Sequence, residues 1–184
     1  MKVTHAITET PTQKRLVSKD VKYIFDKTNG MMATWGKTFN DDPDWCEFGP
    51  TIADIEITTK CKGPGGKLCK FCYKGNQPQG TNMSSATFKK VFDKLPRTLT
   101  QIAFGADADL SANPDLWDMM KYCRENGNNE VIPNITVADA NDETCDKLAE
   151  LCGAVAVSRY ANHDLCYNTV QHLVARGMEQ VNIH

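Results

Sequence analysis

From residue 51 to the last residue the chain alternates between short β-branched runs and longer segments with helical spacing, and no other feature narrows the fold as far. Ile55 and Ile57 alternate with Asp54, Glu56 and Thr58, a period of two that predicts a strand. Ser84 or Ser85 can cap a helix with Phe88, Val91, Phe92 and Leu95 at helical spacing, and Pro96 stops it. Leu99 to Phe104 reads as the second strand. Asn113 caps and Pro114 opens the next helix, with Leu116, Met119, Met120 and Cys123 on one face and Gly127 at its end. Val131 to Val137 predicts the third strand, a helix from Asp142 through Cys152 to Gly153 follows, and Ala154 to Ser158 is the fourth strand. A helix from Asp164 to Arg176, ended by Gly177, leads to a fifth strand at Val181 to Ile183. Parallel neighbours need crossover helices, so this order predicts an α/β fold with a parallel sheet and helices outside it. Periodicity alone does not separate an open sheet from a barrel.

The first 50 residues follow different rules. Residues 1 to 20 are polar and without clear periodicity, and read as a loose arm. Tyr23 to Phe25 and Met31 to Trp35 flank Asn29-Gly30, which predicts a small β-hairpin. Residues 36 to 50 are loop by composition, so an arm and hairpin over 1–50 precede a main domain over 51–184. With 184 residues, 41% of them hydrophobic, the chain can bury one sizeable core. A net charge of −2 gives no basic excess to grip nucleic acid. No apolar run reaches signal-peptide or membrane-spanning length, which points to a cytoplasmic protein with no membrane partner. Its eight cysteines are then expected to be reduced. Cys123, Cys145, Cys152 and Cys166 fall on the apolar stripes of helices and are expected in the core.

The remaining cysteines carry chemistry. Strand one runs into a loop broken by Gly63-Pro64-Gly65-Gly66, and Cys61, Cys69 and Cys72 fall within twelve residues of one another. A closed structural zinc site wants four ligands, whereas three cysteines on a four-iron cluster leave one iron open to a ligand that is not protein. Cys46, in a polar loop between Trp45 and Glu47, is a candidate fourth ligand. The pattern Cys61-x7-Cys69-x2-Cys72, with the aromatic Phe71 before the last cysteine and a position just after the first strand, resembles the radical S-adenosylmethionine (SAM) superfamily. The usual first gap there is three residues, and here it is seven. The resemblance implies a partial (β/α) barrel, of whose six units this chain supplies about five. It also implies a [4Fe-4S] cluster on Cys61, Cys69 and Cys72, SAM on the open iron beside Phe71, and an electron donor such as flavodoxin or ferredoxin. SAM would be cleaved to methionine and a 5′-deoxyadenosyl radical that abstracts hydrogen from a substrate the sequence does not name.

After strand two, Gly105-Ala106-Asp107-Ala108-Asp109 stands where the family has Gly-Gly-Glu-Pro, which implies that Gly105 and Asp107 hold the amino group of SAM. Asp109 takes the role in a shifted register, and a plain acidic turn is the bland alternative. Asn134 and Thr136 share one face of strand three, strand four ends in Ser158-Arg159-Tyr160, and strand five carries Asn182 and His184. By position these residues meet SAM or the substrate, with Arg159 the candidate partner of a carboxylate because its fork matches two oxygens. Asp54 and Glu56 share a face of strand one, and inside a barrel they need a lysine, an arginine or a substrate group to meet them. A second functional class stays open: a zinc or iron–sulfur module that is structural or transfers electrons without SAM. The fifth strand has no crossover helix after it, which leads to the expectation that these residues are the N-terminal part of a longer protein.

Overall fold

A computed structural model of the chain describes residues 5–75, 77–126, 129–160 and 163–184. Four strands come first: β1 (Ala6–Glu9), β2 (Gln13–Val17), β3 (Lys22–Asp26) and β4 (Met32–Trp35). They form an antiparallel sheet in the order β1-β2-β3-β4. Then β5 (Ile52–Glu56), β6 (Gln101–Gly105), β7 (Ile132–Val137), β8 (Ala154–Val157) and β9 (Val181–Ile183) form a parallel sheet in sequential order. Between them run α1 (Ser85–Phe92), α2 (Leu116–Glu125), α3 (Asp142–Leu151) and α4 (His163–Ala175). The expected α/β class and its five parallel strands are observed. No helix among the described residues is long and apolar enough to cross a membrane.

Local chemistry explains most of these boundaries. Ser84 caps α1 by accepting the Thr87 amide, and Asn141 caps α3 by accepting the Thr144 amide. Asn113, expected as a cap, does something else. Its amide nitrogen donates to the Ile57 and Met83 carbonyls at 2.8 and 3.0 Å, and its oxygen accepts from the Asp115 amide at 3.0 Å. It therefore clamps the end of β5 to the start of α2, which begins three residues later. Gly127, expected to end α2, lies outside the described residues. Successive helices pack α1 on α2, α2 on α3 and α3 on α4, which puts them on one face of the parallel sheet. Phe88, Ile102, Met119, Leu148, Val155 and Leu173 fill the layer between, and the four helix cysteines sit buried among them as expected.

The loose arm is corrected. Residues 6 to 17 are β1 and β2, and they extend the expected hairpin of β3 and β4 into a four-stranded sheet. The alternation was masked because one of the two inward positions of β2 is Lys14, which is fully buried beside Leu16. This sheet closes the N-terminal ends of the parallel strands. The Lys14 ammonium donates to the Leu99 carbonyl at 2.8 Å and to the side-chain oxygen of Asn129. Tyr23 Oη and Thr100 Oγ1 are 3.0 Å apart, and Ile132 packs among Leu16, Tyr23 and Phe25. The C-terminal ends of the parallel strands are left open, the end where α/β proteins place their ligands.

Candidate functional site

At that open end, residues 58–82 leave the sheet and return to it. Their base is zipped: Ile57 donates to the Gly105 carbonyl at 2.9 Å, Thr59 to Thr81 at 2.9 Å and Cys61 to Gln77 at 3.1 Å. Beyond the base the chain folds through a single 3₁₀ turn, Pro64–Gly66. Gly63 has φ +75°, and a Cβ there would lie 1.9 Å from the Lys67 carbonyl oxygen, so no side chain fits. That reversal returns Cys69 and Cys72 toward Cys61. The Gly63 amide donates to Cys61 Sγ at 3.3 Å, and the Cys72 amide to the Cys69 carbonyl at 3.1 Å. Burial pushes the Cys69 thiol above its ordinary pKa, and the neighbouring Cys72 and Cys61 add to the shift.

All three cysteines line one cavity of about 460 Å³. Phe71, Gly105, Asp107, Asn134, Thr136, Ser158 and Tyr160 line it too. Phe71 meets Tyr160 across the mouth with ring centroids 5.4 Å apart, joining the cysteine loop to the end of β8. Arg159 does not join them. Its Nε donates to Tyr167 Oη at 3.0 Å, a terminal nitrogen lies 3.1 Å from His163 Nδ1, and it does not line the cavity. The chain beyond β8 keeps strand-like alternation, so Ser158 and Tyr160 face the cavity while Arg159 faces α4. Asn182 and His184 do not line the cavity; His184 pairs through its backbone with Val157 and Arg159. Cys46 is exposed, away from this space, with Sγ 3.9 Å from the Gly49 carbonyl, so it does not supply a fourth ligand here.

The turn after β6 is rigidly held. The Ala112 amide reaches both carboxylate oxygens of Asp107 at 3.1 and 3.2 Å, and Asp109 accepts from the amide and hydroxyl of Ser111 at 3.0 and 2.7 Å. Burial raises the Asp107 carboxyl to about 6, and the adjoining Asp109 pushes in the same direction. Asp109 is held below its ordinary value, first by its hydrogen bond with Asp107. Leu110 takes φ +64° within this turn, an unfavourable backbone that the surrounding bonds enforce. The acidic turn thus both stabilises its own loop and presents Asp107 to the cavity.

Lys74 is a cavity residue that the sequence reading missed. Its ammonium lies 3.4 Å from Glu56 Oε1, so a lysine meets this inward acid, although it comes from the cysteine loop and not from another strand. A Cβ on Gly105 would lie 2.8 Å from that ammonium and 2.9 Å from Glu56 Cα, which explains the glycine. The nearest signal for Lys74 was its position two residues after Cys72.

No three His, Cys, Asp or Glu among the described residues converge to hold a single ion. A four-iron cluster does not need such convergence, because each thiolate binds its own iron at a different corner. Three thiols on one loop around one cavity fit that group in donor type and in number. Comparison with protein-family models, curated proteins and solved structures finds no match for the chain.

Proposed function

We propose that the protein is a radical SAM enzyme with a partial (β/α) barrel. The observation that carries this is the meeting of Cys61, Cys69 and Cys72 with the Gly105–Asp109 turn around one cavity at the C-terminal ends of the parallel strands. Sequential strand order with the helices on one face supports the barrel reading. Cys61, Cys69 and Cys72 would hold a [4Fe-4S] cluster, and the cavity would hold SAM. When bound, the reduced cluster and SAM supply a 5′-deoxyadenosyl radical and methionine, and the radical takes a hydrogen atom from the substrate. Asp107 accepts hydrogen bonds from the amino group of SAM. Gly105 leaves room for the ligand and for Lys74. Phe71 and Tyr160 shield the mouth from water. Flavodoxin or ferredoxin provides the electron.

Anaerobic reconstitution tests this reading. Full-chain protein should take up about four irons and four sulfides per chain, a stoichiometry set by the cluster type. Each of Cys61→Ala, Cys69→Ala and Cys72→Ala should lose the cluster, and the reduced wild type should turn SAM into 5′-deoxyadenosine. Stoichiometric zinc with no sulfide would establish the structural module instead, and an iron–sulfur cluster with no nucleoside product the electron-transfer module.

A further inference from the structure

The parallel strands present one layer of side chains to the cavity whose chemistry is one-sided. Asp54 on β5 is in register with Ala103 on β6, and Ala103 with Asn134 on β7. Asp54 and Asn134 both line the cavity, and Ala103 between them is too small to fill the space. The Asp54 carboxylate has no hydrogen-bond or ion-pair partner among the described residues. Asn134 spends its amide nitrogen on Gln101 Oε1 at 3.0 Å, and no described donor reaches its side-chain oxygen. A charged acceptor and a neutral one therefore stand two strands apart, about 10 Å between their backbones, with open volume between. The one lysine or arginine among the described residues that line the cavity is Lys74, and it lies against Glu56 at 3.4 Å. The described residues offer this layer no counter-charge. Asp54 is exposed to the water of the cavity, and a ligand with several N–H donors replaces that water with charge-assisted hydrogen bonds.

We propose that Asp54 and the side-chain oxygen of Asn134 bind the cationic end of the substrate, an ammonium or guanidinium group. This rests on the radical SAM reading only in calling the ligand a substrate. SAM carries an ammonium group of its own, and Asp107 in the turn after β6 is the acid assigned to it, which leaves Asp54 on the face of β5 for the second molecule. The substrate then lies against the inward face of β5 to β7 with its cation anchored, and the carbon beyond it points toward the cysteine loop.

The test is a titration of the full, reconstituted chain with n-butylammonium, n-butylguanidinium and the neutral n-butanol, with and without saturating SAM. The expected result is that both cations bind more tightly than butanol and that SAM does not displace them. Asp54→Asn should weaken the cations roughly tenfold or more, the scale of one charge-assisted hydrogen bond, and leave butanol unchanged. Asn134→Asp, which adds a second negative charge, should tighten them, so the outcome does not depend on one variant folding. Equal cation affinity in wild type and Asp54→Asn, or no cation binding, would overturn the proposal. Complete displacement by SAM would also overturn it, by assigning these acceptors to the ammonium of SAM. Absence of SAM cleavage would remove the enzyme reading and leave this titration unaffected, so the two failures are distinguishable.

Discussion

Replacing Lys14 by methionine makes the closed end of the molecule report on its own electrostatics. Lys14 is fully buried in β2, its ammonium donates to Leu99 and Asn129, and no carboxylate lies within ion-pair distance among the described residues. Burial brings its pKa down from 10.5 to about 8, with nearby Glu9 opposing the shift. Because the folded value lies below the unfolded one, the unfolded chain binds more protons between the two. Stability contributed by this residue therefore rises with pH across the window from about 8 to 10.5, and the full cost of the buried charge is present below it. From those two values the cost falls from about 3.2 kcal/mol at pH 7.5 to about 0.8 kcal/mol at pH 10. Between the two pH values the wild type therefore gains about 2 kcal/mol from this residue. Methionine removes the charge and leaves two acceptors without a donor, at about 1–3 kcal/mol each, so at neutral pH the gain and loss nearly offset and the variant folds. The assay is urea unfolding of wild type and Lys14→Met at pH 7.5 and 10 under reducing, anaerobic conditions. Tyr23, whose pKa burial raises, titrates in both proteins and cancels in the difference. The wild type should gain about 2 kcal/mol on the variant between the two pH values. A flat or shrinking difference would show that Lys14 is not titrating from a buried, charged state.

Two further substitutions test the open end. Gly105→Ala places a methyl group 2.9 Å from Glu56 Cα, a backbone atom that cannot swing away as the Lys74 ammonium can; the urea midpoint should drop by the equivalent of about 1–3 kcal/mol, and an unchanged midpoint would mean that β5 and β6 shift apart freely. Asn113→Ala removes the donor to Ile57 and Met83 and the acceptor of Asp115. It should cost about 2–4 kcal/mol and speed amide exchange at Met83 and Thr59, whereas slow exchange at both would show that the loop base is held without this clamp.

What could be read from the sequence was local, and what escaped it depended on direction or on distance along the chain. The parallel strands and their helices announce themselves because Ile55, Ile57, Phe88, Phe92 and Leu148 obey periods set by their own backbones, and Ser84 acts on an amide three residues away. The cysteine loop is legible for the same reason, since Cys61, Cys69 and Cys72 are close in the chain before they are close in space. Strand β2 was hidden because a lysine occupies an inward position, and only the later Leu99 and Asn129 make that tolerable. Arg159 was assigned by its place at a strand end, although alternation beyond β8 already turned it outward. The Lys74–Glu56 pair joins residues on opposite sides of the cysteine loop, so no window of sequence contains its cause.

These losses have a common consequence for function. The residues that escaped at the closed end belong to the sheet that covers N-terminal strand ends with Lys14, Tyr23 and Phe25, and the cavity opens at the C-terminal strand ends. That entrance lies beside the cysteine loop. Phe71, Tyr160 and the three thiols line the same cavity as Asp54, so under the proposed function a molecule bound at Asp54 shares one space with the cysteine loop. The antiparallel sheet therefore bears on the site although none of its residues lines the cavity: it packs against the N-terminal strand ends and leaves the C-terminal ends to the cysteine loop and the turn after β6.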